Sequence, residues 1–328
     1  MRTMGSFGAI RQFAGALLML GMAACVAKAQ PVARIELHPL PSVTLKTSDI
    51  LAGNLDGLPV TLGGELRIPT AGTDRLPAVI LIHGSGGIGA NSDLWAKEIN
   101  SLGIAVFIID SFTGRGILNT VNDQTQLDHL AMMTDAYRAL ALLAKHPRID
   151  PVRIAVMGFS KGAVAAVYSG NLRFRKLYAP AGPGFAAHIG LYTPCNMQFR
   201  DDTVTTGAPI RLFHGTPDDY VPVAPCRDYV ARLLQAKVDV KLTEFPGAWH
   251  AYDNPSYQPV AIRPDAQTTR NCRMRESADG KLLNTATGTT FKQDDKCVER
   301  GTHVGFDQAA YEATRLAVKD FLVRVLKP

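Results

Sequence analysis

From residue 77 onwards the apolar residues come in short, nearly unbroken runs. PAVILI (77–82), IAVFIID (104–110), RIAVMG (153–158), AAHIGLY (186–192), PIRLFH (209–214) and VDVKLTEF (238–245) are each about as long as a strand. Most lack the polar alternation of a half-solvated strand, which suits strands buried on both faces of a parallel sheet. Between and after them, residues 125–146, 225–236 and 308–326 place apolar side chains at helical spacing. Residues 30–75 have a different rhythm. Short alternating segments such as VTLGGELRIP (60–69) suit antiparallel edge strands. Strand and helix in alternation predict an α/β fold, a doubly wound and mostly parallel sheet with helices on both faces.

Two segments break this rhythm. At the N-terminus, Arg2 and Arg11 precede the apolar run FAGALLMLGMAACVA, which ends in Ala27-Lys28-Ala29. A positive start, an apolar middle and small residues at the exit predict a secretory signal peptide over residues 1–29, cleaved after Ala29. The run is short for a transmembrane helix of about 20 residues, so no stable membrane insertion is expected after cleavage. A narrower reading takes MAAC (22–25) as a lipoprotein signal with Cys25 lipidated, although Met stands where Leu is usual. The second segment, residues 254–303, is polar, rich in Thr, Asn, Asp and Arg, and carries two cysteines. So long a stretch inside a compact domain is a functional loop, a lid or something held by other means, and a disulfide would hold it. With no internal repeat and no low-complexity linker, residues 30–328 read as one domain carrying that insertion.

Charge and cysteine content refine the class. Of 35 basic and 29 acidic residues, three basic ones fall in the signal segment, leaving 32 against 29. No basic cluster follows it, so nucleic acid is not an expected partner. Cleavage leaves Cys195, Cys226, Cys272 and Cys297. An even number in an exported chain, periplasmic or extracellular, reads as two disulfides. Sequence order favours Cys195 with Cys226 and Cys272 with Cys297, among three formal connectivities. No C-x-x-C pair is present, so a structural zinc site has little support.

The candidate chemistry lies where the run 153–158 meets a small-residue helical segment, at Gly158-Phe-Ser160-Lys-Gly162. Glycines on both sides allow a sharp strand-to-helix turn that exposes the serine hydroxyl. The pentapeptide alone is common by chance, and a serine needs a base and an orienting acid. Two later strand ends deliver them: HGTPDDYVP (214–222) brings Asp218, with Asp219 as the alternative acid, and PGAWHAYD (246–253) brings His250. For the developing oxyanion, two backbone N–H groups must converge. The residue after the nucleophile gives Lys161, whose side chain is expected in solvent, and HGSGG (83–87) gives Ser85 or Gly86. His83 and His214 precede glycines at strand ends and read as structural. Arg115 is a candidate for an anionic part of the substrate, against a structural salt bridge. Phe112 and Trp249 are candidates for lining the substrate pocket, against packing under a loop.

In order and spacing, HGSGG, DSFTGRG (110–116), GFSKGA (158–163), HGTPDDYVP and PGAWHAYD resemble the dienelactone hydrolase family of α/β-hydrolases, over roughly residues 60–255 and the terminal helix. The resemblance implies an α/β-hydrolase fold, with Ser160 as nucleophile, Asp218 as acid and His250 as base. It also implies a small-molecule ester or lactone as substrate, no metal and no organic cofactor. The enzymes that gave the family its name resemble this chain in fold but carry cysteine as nucleophile; serine points to broader ester hydrolysis. Two rivals share the resemblance: a serine peptidase of the prolyl oligopeptidase type, and a non-catalytic binding protein on the same fold.

Overall fold

The computed structural model describes residues 32–328; the signal segment, its cleavage site and Cys25 lie outside them. The chain opens with β1 (Arg34–Thr44), α1 (Thr47–Ala52) and β2 (Leu58–Ile68), then β3 (Leu76–Ile82), α2 (Ala90–Asn100) and β4 (Ala105–Asp110). Next come α3 (Ala131–Leu143), β5 (Ile149–Phe159), α4 (Lys161–Tyr168), α5 (Leu172–Tyr178), β6 (His188–Leu191) and β7 (Met197–Gln198). β8 (Ile210–Gly215), α6 (Ala224–Gln235) and β9 (Val240–Phe245) follow. The chain ends with β10 (Ala261–Thr268), β11 (Met274–Glu276), β12 (Leu282–Asn284), β13 (Glu299–Val304) and α7 (Gln308–Leu326).

Eight strands form one sheet in the order β1-β2-β4-β3-β5-β6-β8-β9. β1, β2 and β4 pair antiparallel, and every pair from β4 to β9 is parallel. The unbroken apolar runs have their cause in the layers. On β3, Ile80 and Ile82 enter one core with residues of α3, α4 and α6, whereas Val79 and Leu81 enter a second with residues of α2 and α7. Each strand therefore needs apolar residues on both faces. Among the described residues no helix is long and apolar enough to cross a membrane.

Three local readings change. The helix expected from residue 125 begins at Ala131, because Asp123 caps a separate 3-10 turn (Gln124–Gln126) by accepting from the Thr125 N–H. α2 lies in a stretch where no helix was expected. The insertion is not structureless: β10 pairs antiparallel with β13, and β11 joins β12 and β7 in a small sheet. Glu276 pins that sheet to the main body, buried and gripped in a fork by Arg173 at 2.7 and 2.6 Å. The disulfides join Cys195 to Cys226 and Cys272 to Cys297, as sequence order favoured. Two disulfides fit an oxidising compartment.

Candidate active site

β5 ends at Phe159, and the chain turns sharply at Ser160 into α4. Ser160 has φ 50° and ψ −116°, a backbone that a non-glycine residue holds only under strain of about 1–3 kcal/mol. The bracketing glycines are a steric requirement. A Cβ on Gly158 would stand 2.2 Å from the Gly162 carbonyl oxygen, and one on Gly162 would stand 2.3 Å from the carbonyl oxygens of Ile82 and His83. Strand, elbow and helix approach one another too closely for any side chain there.

The two partners arrive from the ends of neighbouring strands. His250 Nε2 lies 3.1 Å from Ser160 Oγ, and its Nδ1 lies 2.8 Å from Asp218 Oδ2. Facing a carboxylate, Nδ1 holds the ring proton, which leaves the Nε2 lone pair for the serine hydroxyl. Asp218, not Asp219, takes this position. Its Oδ1 accepts from the Tyr220 and Val221 N–H groups at 3.0 and 2.8 Å. Burial alone would raise the Asp218 carboxyl, but the His250 and His214 rings outweigh it and hold it well below the usual carboxylate range. Asp219 instead accepts from the N–H and Nδ1 of His303, both at 2.8 Å. Tyr192 and Tyr220 pack on the His250 ring with centroids 4.6 and 4.7 Å away.

The opposite side of Ser160 is backbone. Residues 84–87 turn tightly, with the Gly87 N–H donating to the Gly84 carbonyl at 3.1 Å. The Ser85 and Gly86 amides take no part in that turn, and Lys161 is the first residue of α4, where an amide has no helical acceptor. Ser160, His250, the 84–87 turn and insertion residues 263–266 line a cavity of about 560 Å³.

A profile of the dienelactone hydrolase family matches residues 62–281, two thirds of the chain. The chain belongs to the dienelactone hydrolase family. It is thus a hydrolase of the carboxylic ester type. The fold is also that of two solved structures. A dienelactone hydrolase-like promiscuous phosphotriesterase from metagenomic libraries aligns at TM-score 0.55 and 13% identity, covering 89% of this chain and 98% of its own. Esterase 2 of Thermogutta terrifontis, phosphorylated by paraoxon, aligns at TM-score 0.56 and 17% identity, covering 90% and 95%. No curated protein sequence matches the chain.

Three substrate-binding candidates take their structural alternative, and the Lys161 side chain leaves its expected place. Arg115 is buried and grips Asp135 through both terminal nitrogens, at 2.8 and 2.9 Å, so it is a structural ion pair and faces no substrate. Phe112 is buried edge-on against His83 and lies outside the cavity wall. Trp249 packs at a tilt against His303, also outside the wall. The Lys161 side chain, expected in solvent, is 1% exposed. His83 and His214 are structural: His83 Nε2 accepts from the Ser111 N–H, and His214 Nε2 donates to the Val221 carbonyl. The sequence reading missed Tyr192 and Tyr220. Tyr192 directly follows β6, so the rule that ligands gather at the carboxyl ends of parallel strands could have found it. It also missed Asp253, which accepts from Trp95 Nε1 and the Tyr192 hydroxyl at 2.7 and 2.8 Å and braces the ring beneath His250.

Proposed function

We propose that this chain is an exported serine hydrolase that cleaves carboxylic esters or lactones through an acyl-enzyme. The observation that carries the reading is the continuous chain from Ser160 Oγ to His250 Nε2 at 3.1 Å and from Nδ1 to Asp218 at 2.8 Å. His250 takes the proton as Ser160 Oγ attacks the carbonyl carbon, and Asp218 stabilises the imidazolium that forms. The amides of Lys161 and of Ser85 or Gly86 hold the oxyanion. His250 then returns the proton to the leaving alkoxide. Water, activated by the same ring, releases the acid. The predicted signal peptide over residues 1–29 and the two disulfides support export.

The test is hydrolysis of p-nitrophenyl acetate by the chain lacking residues 1–29, beside Ser160→Ala. Loss of turnover in the variant alone is expected, together with labelling of the parent, not the variant, by a fluorophosphonate. Equal rates in both would reduce the elbow to architecture and overturn the reading.

A further inference from the structure

The residue after Ser160 presents an unexplained charge. Lys161 Nζ is buried and donates to Gln124 Oε1 at 3.0 Å and Thr120 Oγ1 at 3.3 Å, both uncharged. Among the described residues no carboxylate lies within ion-pair distance of it; Asp128 and Asp123 act only from farther away. The other titratable neighbours offer no compensating charge. His129 borders the same small chamber of about 20 Å³, and burial, then the nearby ammonium, hold its ring neutral, down to about 3. Burial also lowers His83 and raises Tyr220, which keeps both uncharged near neutrality. A buried ammonium without a counter-ion is costly, so its position calls for a reason.

The partners of Lys161 reach the substrate loop. Gln124 Nε2 donates to Ser85 Oγ at 3.1 Å, and the Thr120 N–H donates to the Ser85 carbonyl at 2.8 Å. The Gln124 N–H donates to Gln267 Oε1 on β10 at 2.7 Å, and the Gln267 N–H returns a bond to the Val121 carbonyl at 2.9 Å. One ammonium thus joins the start of α4, the 84–87 turn and the insertion. We propose that Lys161 is a positioning residue whose buried ammonium, acting through Gln124 and Thr120, sets the Ser85 turn at the distance from α4 where both sets of amides reach one substrate oxygen. This rests on the acyl-enzyme reading above.

The proposal has a pH signature. Burial pulls the Lys161 ammonium down to about 7, against the weaker opposing pull of Asp128 and Asp123. Above that pH the amine is neutral, its bonds to two neutral oxygens weaken, and the turn loosens. Turnover should therefore fall on the alkaline side as Lys161 loses its proton.

The experiment is kcat and KM for p-nitrophenyl acetate from pH 5 to 10, for the parent, Lys161→Met, Gln124→Glu and Ser160→Ala, with thermal melts of each. Lys161→Met should lose about ten- to a hundredfold in kcat, with KM changed by less than about threefold and the alkaline limb gone. Its Tm should hold or rise, because a buried charge has been removed. Gln124→Glu supplies a counter-ion and should move the alkaline limb up by about one pH unit or more. A parent-like kcat and limb in Lys161→Met, or a kcat loss that merely tracks a lower Tm, overturns the proposal. Should that variant not fold, an unmoved limb in Gln124→Glu overturns it instead. Parent-like turnover in Ser160→Ala would sink the acyl-enzyme reading itself, whereas a Ser160→Ala rate reduced to the residual level beside an unaltered Lys161→Met profile sinks only this inference.

Discussion

Gly162→Ala changes one methyl group and should separate the two halves of the oxyanion site. The added Cβ would sit 2.3 Å from two backbone carbonyl oxygens, Ile82 and His83. Ordinary C···O contact is about 3.3 Å, so a gap of roughly 1 Å must open between α4 and the end of β3. Neither contact is with a flexible side-chain tip, so the strand end or the helix start must move. β3 leads directly into the turn that carries Ser85 and Gly86, and α4 begins with the Lys161 amide. A displacement of about 1 Å at reacting groups costs on the order of a hundredfold in rate. Overpacking of this kind also costs about 1–3 kcal/mol of stability, or a few degrees in Tm. Steady-state kinetics on p-nitrophenyl acetate, with a calorimetric melt of the same sample, would measure both. The reasoning predicts a large loss in kcat with KM changed little. A variant with kcat within twofold of the parent would show that the close approach of α4 to β3 does not set the oxyanion geometry.

Asp218→Asn should lower kcat by about 10³–10⁴, because the amide favours the wrong histidine tautomer, whereas Asp219→Asn should stay within about threefold. Comparable losses in both would reassign the acid. The depressed Asp218 carboxyl also stabilises the fold above the ordinary aspartate range of about 4, a contribution lost as pH falls through its lower folded value. Acid unfolding of Asp218→Asn should therefore be flatter below pH 4, as circular dichroism can follow. Arg115→Met leaves Asp135 buried without its partner and should cost about 3–5 kcal/mol in denaturant melts, with KM for neutral and anionic esters moving alike. Selective weakening for the anionic ester would restore Arg115 to the substrate site. Replacing Cys272 and Cys297 by serine releases a loop of sequence separation 25 and should lower stability by about 3 kcal/mol. An unchanged melt would mean that the arginine grip on Glu276 suffices to hold the insertion.

The positions of Ser160, Asp218 and His250 were legible because a parallel sheet sends successive strand ends to one edge, and the strands announce themselves as apolar runs. The family pattern pointed to Asp218 over Asp219, and the loop after β8 adds that the two neighbouring carboxylates reach different histidines, His250 and His303. The Lys161 side chain was misjudged for a related reason. Charge suggests solvent, and only the folded chain shows that Gln124 and Thr120 wait for it. The strands of the insertion were hidden by long-range pairing. Ala261 opposes Val304, and the register slips between Arg263 and Gln267, so alternation is broken within β10 itself.

The insertion leaves the chain just after His250 and returns to it. Val304 bridges the His250 backbone, and the Gly305 N–H donates to the His250 carbonyl at 3.1 Å. The proposed general base is therefore clasped by a segment made more than 50 residues later. Along the chain, the Ser160 elbow is made well before this clasp. On the proposed mechanism, competence would wait for the return of residues 304–305, so activity would report that the segment after the insertion has been made and closed on His250.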